Sequence, residues 1–265
     1  MLLKIRHETR YTYDRPVDYA LEKLRLRPLS SAVQTVSSWA LEVEGGKIEC
    51  GYSDHYGNHV DLISTDIGGT DLVVRVEGQV ETSDTSGVFG SVYGRAPLWH
   101  FQQVTPLTTV GAAVEPFVSI VQGADTVLNG LHALSSAVIK AVPYAFGKTD
   151  ATTTAEQALA VAAGVCQDHA NIFIAAARAA GVPARYVSGY LLMDDRVDQD
   201  ASHAWAEAHV DGLGWVGFDV SNAVAPDERY VRLAIGRDAA DAAPISGMRL
   251  GPSDEAMVVT VQVQQ

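Results

Sequence analysis

The hydrophobic period of this chain changes twice along its length, and that change limits the folds open to it. In the first hundred residues the period is two. Leu3, Ile5, His7, Thr9, Tyr11 and Tyr13 alternate with Lys4, Arg6, Glu8, Arg10 and Thr12, and the pattern recurs at Trp39, Leu41 and Val43 and at Ile48, Cys50 and Tyr52. Such alternation marks strands with one wet face, and it places Cys50 in the core. Gly45-Gly46, Gly57-Asn58 and Gly68-Gly69 punctuate the run, the last ahead of a strand through Leu72, Val74 and Val76. From Asp125 the period lengthens to that of a helix: Val127, Leu128, Leu131, Leu134, Val138 and Val142 line one face, and Pro143 stops the run. A second helix is expected from the capping-box spacing at Thr153–Glu156 to Gly164, and a third from Cys166 to Ala180, closed by Gly181 and Pro183. Strands then return at 184–192, 202–210 and 214–219, with Asp211-Gly212 turning the last two into a hairpin, and the C-terminal M-V-V-T-V-Q-V is a final strand.

Strands, then helices, then strands predict an α+β chain. The expected organisation is an N-terminal β-sandwich over residues 1–100 and helices packed on an antiparallel sheet over 101–265. The Ser/Gly/Thr-rich stretch Ser83–Gly94, followed by Pro97, Pro106 and Pro116, reads as the passage between them.

Composition narrows the function classes. Of 265 residues, 47% are hydrophobic and 19% charged, which suits a packed core and not a disordered chain. The 19 Lys+Arg stand against 32 Asp+Glu, and a net charge of −13 argues against nucleic acid as a partner. Charges interrupt the N-terminus before a signal-like apolar run can form, and Arg178 breaks the apolar stretch Ile172–Ala180, so no membrane partner is expected. Only Cys50 and Cys166 are present, which predicts no disulfide framework and a cytoplasmic location.

Cys166 opens a predicted helix, where the dipole and unpaired N–H groups favour a thiolate and can hold an oxyanion. His203 suits the base that takes the thiol proton and returns it to a leaving amine. It shares a strand face with Trp205, Glu207 and His209, opposite Ala204, Ala206 and Ala208. Asp219, ending the return strand, would orient the imidazole. The register is open: with a tight turn over Asp211–Gly214, Asp219 falls opposite Ala206, and centring the loop on Asp211 or adding a bulge would bring it opposite His203. Trp205 and Trp215 are candidate walls of a substrate slot, with Glu207 as a carboxylate at its mouth. His169 is a weaker rival base. Gly57 between His55 and His59 argues for a turn and against a metal site. The acidic group Asp194, Asp195, Asp198 and Asp200 lacks the central Gly and closing Glu of a calcium loop. No zinc-protease, C-x-x-C or P-loop pattern occurs.

The strings G-V-C-Q-D-H-A at 164–170, G-V-P-A-R-Y-V-S-G-Y at 181–190, S-H-A-W-A-E at 202–207, G-W-V-G-F-D at 214–219 and G-R-D-A-A-D-A-A-P at 236–244 together resemble the bacterial transglutaminase-like family. The first hundred residues resemble its companion N-terminal β domain. The resemblance implies a papain-like core with Cys166 as nucleophile, His203 as base and Asp219 as orienter, acting on a protein or peptide substrate without cofactor or metal. It implies acyl transfer at an amide through a Cys166 thioester, with hydrolysis favoured, transamidation to a lysine amine as the second reading and a non-catalytic peptide-binding scaffold as the third. Five positions depart from the family's usual residues: His169 stands for an aromatic, Asn171 for a His, Val220-Ser221 for Pro-Thr, and Ala239 for an aromatic.

Overall fold

The computed structural model describes residues 1–90, 95–250 and 254–265. In chain order the strands and helices are β1 (Leu2–Tyr13), β2 (Tyr19–Leu24), β3 (Gln34–Glu44), β4 (Gly46–Ser53), β5 (His59–Thr65), β6 (Asp71–Thr82), β7 (Val88–Gly90), α1 (Glu115–Gln122), α2 (Val127–Ala141), α3 (Ala155–Val161), α4 (Cys166–Ala179), β8 (Ala184–Leu191), β9 (Asp198–Gln199), β10 (His203–Val210), β11 (Gly214–Phe218), β12 (Tyr230–Gly236), β13 (Ile245–Leu250) and β14 (Glu255–Gln264). They form three sheets, ordered β3-β6-β1-β14-β9, β13-β2-β5-β4 and β12-β8-β10-β11-β7. The α+β class is as the sequence predicts.

The first two sheets make the sandwich. The alternating inward residues of β1 and β6 (Leu3, Ile5, Tyr11, Val74, Val76) share one buried cluster with Ala20 and Leu24 of β2 and Ile63 of β5. The third sheet carries the helices on one face: Ala204, Ala206 and Ala208 of β10 join Phe173, Ile174 and Ala177 of α4 in a second cluster. Small residues on the strand let the helix approach closely. The other face of this sheet is also covered, because Trp205, Trp215 and Tyr230 pack with Tyr56 and Phe101, which precede the helices in the chain. Tyr190, Val231 and Leu233, from β8 and β12, reach into the sandwich core itself.

The division expected at residue 100 does not hold at either end. β14 pairs with β1 along its whole length, Lys4 opposite Gln264 through Tyr13 opposite Glu255, and β13 pairs with β2. β13 and β14 therefore complete the N-terminal sheets. Conversely β7, inside the stretch read as a passage, adds an edge strand to the helix-bearing sheet by pairing with β11; residues 91–94 of that stretch lie outside the described residues. Pro116, read as part of the passage, lies in the first turn of α1, where proline is tolerated.

Cys50 is exposed, not core. β4 is the edge of its sheet, its register shifts between Ile48 and Cys50, and nothing among the described residues covers it, so Ile48 and Tyr52 are exposed with it. A strand does form there, but neither of its faces is covered by the core, whereas the edge strand β3 turns Val36, Trp39, Leu41 and Val43 toward it.

Candidate active site

Cys166 is the first residue of α4, and the side chain of Asp168 accepts a hydrogen bond from the Val165 N–H (2.8 Å), fixing the helix start. The α2–α3 connection docks against this start: Ala145 N–H donates to Gly164 O (2.8 Å), and Thr149 donates to Asp168 (2.7 Å). His203 is the first residue of β10, and the Cys166 thiol faces its imidazole.

The hairpin register decides whether Asp219 can serve His203. Val210 pairs with Gly214 and Ala206 with Phe218, so the loop is Asp211–Leu213, centred on Gly212, which adopts φ +83°. Continuing that register sets Asp219 opposite Trp205, neither opposite Ala206 nor opposite His203. Trp205 and His203 share a face, so Asp219 does too, two residues away. A register one residue different would have put it on the wrong face. The remaining gap closes through side chains: His203 Nε2 and Asp219 Oδ2 are 2.7 Å apart.

Asp219 is fully buried and accepts further bonds from Asn222 Nδ2 and the Tyr230 hydroxyl, each 2.7 Å, and from the Asn222 backbone N–H at 3.2 Å. Burial alone would raise its carboxyl, but His203 and these donors outweigh it and hold the carboxyl below the usual range. For His203 burial disfavours the charged form, yet Asp219 and Cys166 push the imidazole up to about 10. With Nε2 committed to Asp219, Nδ1 is left for the thiol. The arrangement can hold an imidazolium beside a thiolate, which is the charge distribution a cysteine nucleophile requires.

His169 is not a rival base. Its ring is buried, with Nε2 at 2.7 Å from Val142 O and Nδ1 at 2.8 Å from Ser221 Oγ. A carbonyl can only accept, so Nε2 carries the proton and Nδ1 accepts from the serine hydroxyl. Burial lowers the ring's proton affinity. His169 thus ties α4 to the end of α2 and to the loop after Asp219. Of the departures from the family pattern, His169 and Ser221 meet through their side chains, and Asn171 Oδ1 accepts from the backbone N–H of Ala239 at 3.3 Å.

The expected substrate slot is not there. Trp205 and Trp215 are 1% and 3% exposed, packed in the aromatic cluster under the sheet. Glu207 is completely buried in an ion cluster, bonded to Arg185 Nε (2.7 Å) and Arg232 (2.6 Å), while Arg185 stacks over Trp215 at 3.8 Å. The shared strand face was correct, but residues from before the helices cover it.

Tyr230 and Asn222 were missed. Tyr230 begins β12, an apolar run buried on both faces, which carries no period to reveal it. Asn222, three residues past Asp219, is the kind of Asx-spaced partner that a turn reading can find.

The transglutaminase-like superfamily pattern matches residues 117–220, which include all three residues of this constellation, and the bacterial transglutaminase-like N-terminal region matches residues 3–81. The chain belongs to the transglutaminase-like superfamily. An uncharacterized protein of Mycobacterium leprae is 29% identical over 98% of both chains. One from Mycobacterium bovis is 37% identical over 144 residues, 50% of this chain and 46% of its own. In fold, the superfamily member at hand is similar to a candidate cysteine protease from Cytophaga hutchinsonii, with a TM-score of 0.79 at 23% identity, covering all of this chain and 91% of that one. Superfamily membership supports cysteine-based catalysis in general terms.

Proposed function

We propose that the protein is an acyl-transfer enzyme that hydrolyses an amide of a protein or peptide through a thioester on Cys166. The observation that carries this is the line from the α4 N-terminus through His203 to the buried Asp219. In the first half-reaction His203 holds the proton of Cys166, sulfur bonds to the carbonyl carbon, and the C–N bond breaks as the imidazolium protonates the departing amine. Water then attacks the thioester, giving up a proton to His203, and the carboxylic acid leaves as the thiol reforms.

Transamidation passes through the same thioester. A lysine amine, with an ordinary pKa of ~10.4, needs a site that strips its proton and excludes water. The residues suited to such a slot are committed elsewhere, Glu207 to two arginines and both tryptophans to the core, which favours water as acceptor.

The test is product partition. The protein is incubated with glutamine-containing peptides, with and without a labelled primary amine, beside a Cys166→Ala blank. Hydrolysis should dominate, with a minor labelled share. If most acyl groups end on the amine, transamidation replaces hydrolysis; if no peptide turns over beyond the blank, the enzyme reading falls.

A further inference from the structure

An acyl-transfer site needs donors for the oxyanion that forms when sulfur attacks a carbonyl. The Cys166 N–H, at the first turn of α4, supplies one. Most polar side chains nearby are spent. Gln167 Nε2 donates to Asp150 O, Asn222 Nδ2 and the Tyr230 hydroxyl both donate to Asp219, and His169 is bonded at both nitrogens. Trp205 Nε1 is sealed from solvent.

Tyr144 is different. Its hydroxyl faces both the backbone N–H and the thiol of Cys166, and the residue is 44% exposed, so it borders open space. Its position is set from two sides. Its backbone lies in a parallel bridge with Gly164, two residues before the nucleophile, and Gly164 N–H donates to Pro143 O. From α4, His169 Nε2 holds Val142 O, and its ring packs edge-on against the phenol ring at 5.9 Å. Phe146 meets the phenol ring at 5.2 Å.

We propose that Tyr144 is a catalytic residue, its hydroxyl being the second donor to the oxyanion formed on Cys166. This rests on the reading of Cys166 as an acyl-accepting nucleophile. As the S–C bond forms, the carbonyl π pair moves onto oxygen, and that oxygen accepts from the Cys166 N–H and the Tyr144 O–H together. On collapse the carbonyl returns, the C–N bond breaks, and the proton for the amine comes from His203, so Tyr144 ends the step as it began. Burial first, then the negative charge available at Cys166 and Asp219, push the phenol up to about 12, so it remains a donor at neutral pH. Tyr144 carries no mark in the sequence beside the nucleophile, because it precedes the G-V-C-Q-D-H-A string at 164–170 by a whole helix and its flanking loops.

The test separates oxyanion chemistry from thiol reactivity in Tyr144→Phe. A p-nitrophenyl ester acylates sulfur through an oxyanion. Iodoacetamide alkylates it by displacing iodide from a tetrahedral carbon, and no oxyanion forms. Acylation should fall about 10²-fold, the usual loss for one oxyanion donor. Alkylation of Cys166 should stay near the wild-type rate, followed by peptide mapping because exposed Cys50 also labels. Unchanged acylation overturns the proposal. So does a parallel fall of both reactions, which would mark Tyr144 as structural, or a parallel rise, which would make it a cover over the thiol. If wild-type Cys166 alkylates but never acylates, the nucleophile reading itself fails, and Tyr144 falls with it.

Discussion

Glu207 and Asp219 are buried carboxylates of one hairpin, on one face of one sheet, and they have been put to different uses. Glu207 lies between Arg185 and Arg232, guanidiniums that keep their protons at any accessible pH. Asp219 meets an imidazole, an amide and a phenol. The first cluster can only hold its charges together and tie β8, β10 and β12 of one sheet to each other. The second contains a group that can change charge, and that group borders the thiol. What a buried carboxylate does is therefore decided by whether its partner can exchange a proton. Neither burial nor strand face distinguishes the two.

The largest effect that divides them is on stability. Glu207→Gln would remove the carboxylate that bridges two buried arginines, and breaking such a pair costs about 3–5 kcal/mol. Urea denaturation should show that loss, while turnover per folded molecule stays close to wild type. A variant of normal stability that has lost turnover would end the division of labour, since Glu207 would then serve the reaction.

Much of this arrangement was legible in the sequence, and the failures have one cause. Period and capping residues located α2 and α4, and the face shared by His203, Trp205 and Glu207 was right. The α3 capping box was displaced by one residue, to Thr154 and Gln157. What periodicity does not carry is who covers a face. Trp205, Trp215 and Glu207 looked available because the residues that bury them, such as Tyr56, Phe101 and Arg232, are far away in sequence. Cys50 is the converse case, an alternating position on an uncovered edge. The C-terminal strand was seen, but strand pairing between residues 4 and 264 leaves no local mark. Of the departures from the family's usual residues, only His169 and Ser221 meet through their side chains, a pairing that 52 residues of separation hide in the sequence.

Asp219→Asn sharpens the comparison from the other side. Burial works against a charged His203, and Asp219 leads the groups that overcome it and bring the imidazole to about 10. Since the imidazolium protonates the leaving amine, the alkaline limb of acyl transfer should lie far above the ordinary imidazole value of ~6.5. Removing the carboxylate charge while burial persists lowers that limb, and the rate at neutral pH should fall about 10²-fold, the lower end for general acid–base help. A pH profile of kcat/KM reads both. If the alkaline limb does not move, Asp219 positions His203 without governing its charge.

The smallest expected effect belongs to Tyr230→Phe. The phenol donates to Asp219 Oδ2, and its ring lies 5.4 Å from Trp205 and 6.1 Å from His203, so phenylalanine keeps the packing and deletes only the hydroxyl. A hydrogen bond to a charged group contributes about 1.5–3 kcal/mol, and thermal denaturation should show a loss at the low end of that range, because Asn222 still donates twice to Asp219. Turnover should drop by less than about tenfold, the equivalent of 1.4 kcal/mol. The alkaline limb should keep its place, since the Asp219 charge that raises His203 remains. This separates support of the carboxylate from support of the imidazole. If Tyr230→Phe instead reproduces the displaced limb of Asp219→Asn, then Asp219 keeps its charge only with the phenol's help. The proton-exchanging cluster would then extend one residue deeper into the sheet, to β12.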